Sequence, residues 1–267
     1  MHTPSRMSKP QPPGIQVRQA RPADVPSLAD LLVAAPDEGS LYQFPHILEH
    51  PVEMHKLHVG WLRQAVQDPT TLIRVAVVLA EGKERVVGYS SWTRREVDTE
   101  SGEKSRIVEL HTVEPTAAAD SEPETDTNSS AEPSKALVPN KAHTAAMKRG
   151  RALLSSSPNP SKTTSCYELG GLATLPAYQG QGIASSLTRW GMDRAAEEGV
   201  PIFVTSQGQV LEFYGKLGFR RIESTEYWFD EEGRDVTQEE VRTGNETWKT
   251  SSGGISGAMM VWTPPNV

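Results

Sequence analysis

The spacing of apolar residues in the first third of the chain predicts a strand, two helices and a hairpin. Ile15 to Arg18 is typical of a short strand. Pro22 then opens a helix, and Pro51 opens another. The β-rich runs Leu72 to Ala80 and Arg85 to Arg94, separated by EGKE, predict a hairpin. The residues at helical spacing, which should form the buried sides of the two helices, are Val25, Leu28, Leu31 and Leu32 in the first and Met54, Leu57, Trp61 and Ala65 in the second.

The second half of the chain shows a clearer alternation of strands and helices. Asn140 is a good N-cap for a short basic helix that runs towards Leu154. After it the pattern predicts, in order, a strand over Cys166 to Thr174, a helix over Gly182 to Glu198, a strand over Ile202 to Ser206, a helix over Val210 to Leu217, and strands near Arg220 to Phe229 and Ala258 to Trp262.

Two segments hold too few large apolar side chains to offset the entropy of ordering them. Residues 1–14 are rich in proline and polar groups, and the stretch from about Asp98 to Lys135 is acidic and rich in Pro, Ser and Thr. The sequence therefore predicts a disordered tail over 1–14 and one folded domain over 15–263. Residues 98–160 should form a largely disordered insertion in that domain, with a short helix near 140–154.

The composition narrows the classes of partner and compartment. With 27 Lys+Arg against 34 Asp+Glu, the net charge of −7 argues against nucleic acid as a partner. A single cysteine, Cys166, excludes an intramolecular disulfide and favours a reducing compartment. No apolar run follows the first residues, so we expect neither a signal peptide nor a membrane-spanning helix. We predict a cytoplasmic protein, with a nuclear location left open.

The segment LATLPAYQGQGIASSLTRW has the order of an anion-binding site. A strand ends at Thr174, and a Gly-rich loop with Gly180 and Gly182 leads directly into a helix. Glycines let backbone N–H groups approach a ligand, and a helix start presents unpaired N–H donors with about half a positive charge. Pyrophosphate is the natural ligand for such a loop. The other interpretation is a Gly-rich turn that permits only tight packing.

This segment resembles the pyrophosphate loop of the GNAT superfamily of acetyl-CoA-dependent N-acetyltransferases, Gln/Arg-x-x-Gly-x-Gly/Ala. Residues Gln179 to Ala184 fit that pattern throughout, and FYGKLGFRR is similar to the family's Tyr-x-x-x-Gly-Phe signature. The resemblance covers about Tyr167 to Arg221, and residues 15–95 fit the family's variable half in outline. HPVEM, ELGGLAT and RWGMDRA together are most similar to a subgroup common in fungi.

The resemblance implies an α/β (α+β) fold, a single domain with a central mixed, mostly antiparallel twisted sheet flanked by helices. It also implies a bulge in the strand before the loop, for which Gly170-Gly171 is suited, so that pantetheine lies between splayed strands. Acetyl-CoA would then be the co-substrate, bound by Leu172, Ala173, Thr174, Gln179, Gly180, Gln181, Gly182, Ile183, Ala184 and Ser185.

Acetyl transfer to an amine needs an acid for the departing thiolate and a base for the amine. By resemblance Tyr214 is the general acid, although its helical spacing with Val210 and Leu217 is also that of a core aromatic. Glu168, which alternates onto one strand face with Gly170, Leu172 and Thr174, is a candidate general base or else a solvated carboxylate. Cys166 fits a buried filler better than a nucleophile, because the family transfers its acyl group directly.

The acceptor contacts are predicted from the family's first two helices and their linker. These elements commonly border the acceptor pocket, so Tyr42, Phe44 and His46 are candidate substrate-binding residues, with Trp61 beside them. Packing explains Phe44 and Trp61 equally well. Four histidines, His46, His50, His55 and His58, crowd this segment, but Pro51 interrupts them, so we predict no metal site.

The leading hypothesis is an N-acetyltransferase that moves an acetyl group from acetyl-CoA to a small-molecule or peptide primary amine by direct attack in a ternary complex. A non-catalytic acyl-CoA-binding module for sensing or interaction is the alternative. A Rossmann-type oxidoreductase fits poorly, because Ser185 stands where the third glycine would be. The sequence leaves the acceptor, the role of the acidic insertion and the oligomeric state open.

Overall fold

A computed structural model describes residues 14–80, 82–97, 105–110, 139–156, 165–208, 210–243 and 254–265. Within these ranges nine strands form one sheet in the order β1-β2-β3-β5-β6-β9-β7, with β4 paired to β3 and β8 paired to β9. The strands are β1 (Ile15–Gln19), β2 (Thr71–Ala80), β3 (Lys83–Val97), β4 (Ser105–Val108), β5 (Cys166–Thr174), β6 (Ile202–Gln207), β7 (Arg220–Arg221), β8 (Tyr227–Phe229) and β9 (Ile255–Trp262).

Helices cover both faces of this sheet. They are α1 (Val25–Ala34), α2 (Glu38–Gln43), α3 (Pro51–Gln67), α4 (Lys141–Ser156), α5 (Ile183–Glu198), α6 (Val210–Lys216) and α7 (Gln238–Arg242). The β5–β6 pair is parallel and the other strand pairs are antiparallel. The expected single α/β domain with a mixed, mostly antiparallel sheet is therefore confirmed.

The alternation of side chains along each strand divides the core into two layers. Val75 packs with α1 and α3, whereas its neighbour Ala76 packs with α5. At the other end of the sheet, Phe203 packs with α2 and α4, and Val204 packs with α5 and α6. We call the side covered by α1, α2, α3 and α4 the first face and the side covered by α5 and α6 the second face.

The start of α1 is fixed by an ion pair with β1. Arg18 donates to both carboxylate oxygens of Asp24 at 2.7 and 2.9 Å, and the Arg21 N–H donates to the same carboxylate at 2.7 Å. Burial opposes the charge on Asp24, but these hydrogen bonds outweigh it and hold the pKa of Asp24 below its usual value. The pair joins the sheet edge to the first helix.

Several elements differ from the sequence-based expectations. The loop expected around Gly39 contains α2, because Asp37 accepts a hydrogen bond from the Ser40 N–H and caps the helix. The strand expected near residues 220–229 is two short strands separated by a turn at Glu223–Thr225. On α3 the predicted buried side is partly wrong, since Leu57 is 58% exposed and Leu62 is fully buried.

The insertion is only partly within the described residues. The tail 1–13 and residues 98–104, 111–138 and 157–164 lie outside them. Ser105–Val108, which falls in the stretch expected to be unstructured, forms β4 and pairs with the end of β3. The predicted helix is α4, and Asn140 Oδ1 accepts hydrogen bonds from the N–H groups of Ala142 and His143, as expected of an N-cap.

The inner side of α4 belongs to the core. Ala146 and Met147 are buried against β6 and β9, so this helix is an integral part of the domain. None of the helices in the described ranges combines the length and the apolarity needed to span a bilayer.

Candidate acyl-transfer site

The strand β5 carries the bulge that the family resemblance implied, and the bulge lies at its glycine pair. Its register with β3 shifts between Ser91, which faces Gly171, and Trp92, which faces Leu169, so Gly170 has no partner in the ladder. Pairing with β6 ends at Leu169–Val204, although both strands continue. A wedge-shaped opening therefore separates residues 170–174 of β5 from the end of β6.

The loop that follows β5 leads the chain from this opening to the start of α5. Gly180 and Gly182 adopt left-handed conformations with φ of 74° and 81°. The Ser186 N–H donates to the Gly182 carbonyl at 3.0 Å as the first bond within the helix. The N–H groups of the three preceding residues, Ile183 to Ser185, consequently have no acceptor inside α5 and point out of its positive end.

The loop is braced by its own glutamines. The Gln179 amide donates to the Thr174 carbonyl and the Gln181 amide donates to the Ala177 carbonyl, both at 3.2 Å. These side chains shape the loop, so the groups left to meet an anion are backbone N–H groups.

Close packing fixes the start of α5 on the second face. Ile183 and Leu187 are buried against β3, and a Cβ built on Gly88 would lie 2.6 Å from Ile183 Cγ2. Glycine at position 88 thus allows the helix to approach the sheet. Trp190, the third residue of the predicted stripe, is half-buried and stands edge-on to Trp92 with ring centroids 5.8 Å apart.

Tyr214 lies on α6 with its ring in the core and its hydroxyl without a hydrogen-bond partner among the described residues. The ring packs against Phe213 and Phe219. Burial, together with the nearby Tyr89, raises the pKa of Tyr214, so its hydroxyl carries a proton at neutral pH. The ring therefore packs as a core aromatic residue, and the role of the hydroxyl as a general acid stays a prediction.

Tyr89 is a second buried tyrosine at the same point, which the sequence analysis missed. It faces Ala173 across the β3–β5 ladder, and its hydroxyl lies over Gly171, where a Cβ would come within 2.0 Å of the oxygen. Burial and the charge of Asp37 raise the pKa of Tyr89. No local motif marks this residue, because its position depends on pairing between strands far apart in sequence.

Glu168 lies on the first face, opposite Thr93, and is bound to Arg95. The guanidinium donates to the two carboxylate oxygens at 3.1 and 3.3 Å. The bulge reverses the alternation beyond it, so that Leu172 faces Ser90 and packs on the second face. The expectation that Glu168 and Leu172 share a face is therefore wrong.

A cavity of about 320 Å³ lies on the first face beside the bulge. One wall belongs to the end of α3, with Trp61, Gln64, Ala65 and Asp68. The opposite wall belongs to the sheet, with Thr71, Tyr89, Ser91, Thr93 and Gly170. The bulged residue Gly170 thus borders both this cavity and the splayed part of β5.

The predicted acceptor residues lie in different surroundings. Tyr42 is buried in the core, where its hydroxyl donates to the Asp230 carbonyl at 2.8 Å and its ring stacks on His143 at 4.0 Å. Phe44 is half-buried just after α2, and His46 is exposed beside Glu49, with Nδ1 and Oε1 3.2 Å apart. None of the three is among the residues that line the cavity.

The histidine-rich segment does not gather around one point. His55 pairs with Asp30, with Nε2 and Oδ1 3.3 Å apart, and burial lowers the pKa of His58 despite the charge of Asp37. In the described ranges no group of three or more His, Cys, Asp or Glu side chains is placed to hold a metal ion. Burial, with the charge of Glu168, raises the pKa of Cys166 to about 12, which leaves its thiol protonated and unreactive.

A comparison with known protein families gives one match that covers the bulged strand, the glycine loop and Tyr214. Residues 104–219 match the family model of the Acetyltransferase (GNAT) family, a range that includes β5, the glycine loop, α5, β6 and α6. Residues 104–219 are thus similar to the GNAT acetyltransferases. The resemblance seen in the sequence is confirmed, and the match to this family supports acetyl transfer as the general chemistry.

Solved structures resemble this chain at low sequence identity. A Corynebacterium glutamicum protein described as histone acetyltransferase HPA2 and related acetyltransferase is 16% identical, with 95% of this chain and 99% of that chain covered and a TM-score of 0.50. A mosquito arylalkylamine N-acetyltransferase like 5b is 15% identical, with 93% and 99% covered and a TM-score of 0.49. Arabidopsis thaliana NAA60 in complex with acetyl-CoA is 9% identical, with 93% and 98% covered and a TM-score of 0.45.

The Corynebacterium likeness shows a shared fold. Among curated protein sequences, none matches the chain significantly.

Proposed function

We propose that the chain is an N-acetyltransferase that transfers an acetyl group from acetyl-CoA to a primary amine by direct attack in a ternary complex. The observation that carries the proposal is the opening between β5 and β6, which leads directly to the positive end of α5. The pantetheine of acetyl-CoA is an extended chain with amide groups, which fits beside the unpaired part of β5. The pyrophosphate of acetyl-CoA fits the N–H groups of residues 183–185.

Within this proposal the cofactor-binding residues are Leu172 to Thr174 and Gln179 to Ser185. The backbone of the first group borders the opening. In the second group the N–H groups of residues 183–185 face the pyrophosphate, whereas the Gln179 N–H donates to the Pro176 carbonyl at 3.2 Å. The two glutamines act through the loop conformation, because their amides are bound to backbone carbonyls.

In the chemical step, Tyr214 acts as the general acid. The amine nitrogen attacks the thioester carbonyl carbon, the C–S bond breaks, and the thiolate takes the proton of the Tyr214 hydroxyl. Tyr214 suits this role because it stays protonated at neutral pH and its hydroxyl has no partner in the described part of the chain.

The attacking amine must lose a proton to a base. Glu168 is our candidate, and it acts through a water molecule, because its carboxylate is held by Arg95. Substitution of Glu168 by Gln should then lower kcat most at low pH, where the amine is protonated.

Binding of acetyl-CoA is tested by thermal shift. Acetyl-CoA should raise the Tm of the wild-type protein, and Gly182→Glu should abolish the rise, because a carboxylate at the start of α5 repels the pyrophosphate. Gly199→Glu is the matched control: Gly199 is also left-handed, with φ of 66°, but lies at the opposite end of the same helix. A protein whose Tm does not respond to millimolar acetyl-CoA would contradict the proposal.

Catalysis is tested by release of free thiol with a panel of primary amines. Tyr214→Phe should lower kcat about 100-fold and leave the affinity for acetyl-CoA nearly unchanged. Unaltered turnover would remove Tyr214 from the mechanism. Tight cofactor binding without thiol release for any amine would instead identify a non-catalytic acyl-CoA-binding module.

A further inference from the structure

The cavity beside Gly170 has two walls of different chemistry. On the α3 wall, Trp61 presents an indole that is 43% exposed although it lines the cavity. Leu57, one turn earlier on the same helix, is 58% exposed and extends the apolar surface outwards from the mouth. On the sheet wall Tyr89 presents a second aromatic ring. An apolar group that entered the cavity would thus meet aromatic carbon on both sides.

The polar groups of the cavity are mostly neutral. Asp68 is the one charged residue among the described residues that line it, and three residues with hydroxyl groups, Thr71, Ser91 and Thr93, lie on the sheet side. Asp68 accepts hydrogen bonds from the N–H and hydroxyl of Thr70 at 2.8 and 2.7 Å, which fixes the orientation of the carboxylate. The cavity is therefore suited to a ligand with one positive charge.

The size of the cavity limits the ligand further. A volume of about 320 Å³ is at the small end of ligand pockets, which suits a small molecule. A diamine or polyamine would need a second carboxylate for each further ammonium group, because an unpaired charge loses its hydration on burial.

We propose that this cavity binds the acetyl acceptor and selects a primary monoamine attached to a flat apolar body. The inference rests on the proposed function, because Gly170 connects the cavity to the part of β5 that would hold the thioester. The apolar body packs against Trp61 and Tyr89. The amine lies on the sheet side of the cavity, where the Thr71 hydroxyl donates to Asp68 Oδ2 at 3.2 Å and so places the carboxylate beside the hydroxyl-bearing residues.

Equilibrium binding by isothermal titration calorimetry tests the selection without any acetyl transfer. The probes are 2-phenylethylamine, ethylamine and putrescine. We expect 2-phenylethylamine to bind at least about tenfold more tightly than either of the others, because only its ring fills the aromatic part of the cavity. Equal affinities, or tighter binding of putrescine, would overturn the proposal.

Two tryptophan variants test whether 2-phenylethylamine binds beside Trp61. Trp61→Leu should remove most of the preference for 2-phenylethylamine and leave ethylamine binding unchanged, because leucine keeps an apolar side chain but lacks the flat ring. Trp228→Leu is the matched control, since Trp228 lies on β8 at the far side of the sheet. If both variants bind 2-phenylethylamine like the wild type, the ligand does not meet Trp61 and the proposal is wrong.

Different results would contradict the cavity and the proposed function. Amine binding that depends on Trp61 without any thiol release would support the cavity and contradict the proposed function. Acetylation of amines with no preference for a flat apolar body, and no effect of Trp61→Leu on KM, would support the function and contradict the cavity.

Discussion

Replacement of Gly171 by alanine tests the packing of Tyr89 over the bulge. The new Cβ would lie 2.0 Å from Tyr89 Oη and 2.9 Å from Cζ, both far below normal contact distance. Tyr89 is buried in close-packed surroundings, so it must move together with its neighbours. Overpacking of this kind costs about 1–3 kcal/mol of unfolding free energy. For a chain of this size this corresponds to a fall in Tm of roughly 2–12 °C.

The adjacent glycine provides the control. A Cβ on Gly170 would lie 3.8 Å from the Ser91 carbonyl oxygen, an ordinary contact, and neither glycine has a positive φ. Gly170→Ala should therefore keep or slightly raise the stability, since alanine restricts the unfolded chain. The same methyl group enters the cavity beside Gly170, so it should raise the KM for the acceptor.

A double variant identifies the clashing atom. Tyr89→Phe in the Gly171→Ala background removes the oxygen at 2.0 Å but keeps Cζ at 2.9 Å, so it should restore part of the lost stability. Urea unfolding at neutral pH measures all four proteins, including Tyr89→Phe alone. A Gly171→Ala protein as stable as Gly170→Ala, or a double variant no more stable than Gly171→Ala, would show that the Tyr89 hydroxyl does not meet the new methyl group.

Two further predictions concern the stability of the domain. Gly191→Ala places a Cβ 2.2–2.6 Å from the buried Trp92 indole and should cost about 3 kcal/mol, whereas Gly60→Ala, which meets nothing within 4 Å in another helix, should gain up to about 1 kcal/mol in the same urea assay. Asp24→Asn should cost about 2 kcal/mol at pH 7. Because the pKa of Asp24 is lowered in the folded state, this cost should be fully present above pH of about 4 and shrink as pH falls below it, and a cost independent of pH would contradict the role of Arg18.

The sequence was most informative where function depends on consecutive residues. The loop from Gln179 to Gly182 and the helix after it are determined by two glycines and an apolar stripe, all within the short segment from Gln179 to Trp190. Their left-handed conformations and the buried Ile183 follow from these local rules. The bulge was implied by the family resemblance, and the paired glycines of β5 are suited to it.

Features that depend on contacts between residues far apart in the chain could not be predicted from the sequence. The bulge reversed the face of Leu172 relative to Glu168, since a one-residue insertion moves every later side chain to the other side of the sheet. Tyr42 was expected at the acceptor, but its hydroxyl meets a carbonyl 188 positions away. Tyr89 has no motif, and its importance is evident only when β3 lies beside Gly171.

The short parallel pairing between β5 and β6 has a mechanical consequence. Three residue pairs join these strands, whereas eight join β3 to β5 and six join β6 to β9. The sheet thus has two extensively paired parts, one ending at β5 and the other beginning at β6, joined by the short pairing of residues 167–169 with 202–204. A ligand that lies in the opening and bonds to both strands would hold these two parts together. Amide hydrogen exchange at residues 167–169 and 202–204 should therefore slow when the opening is filled.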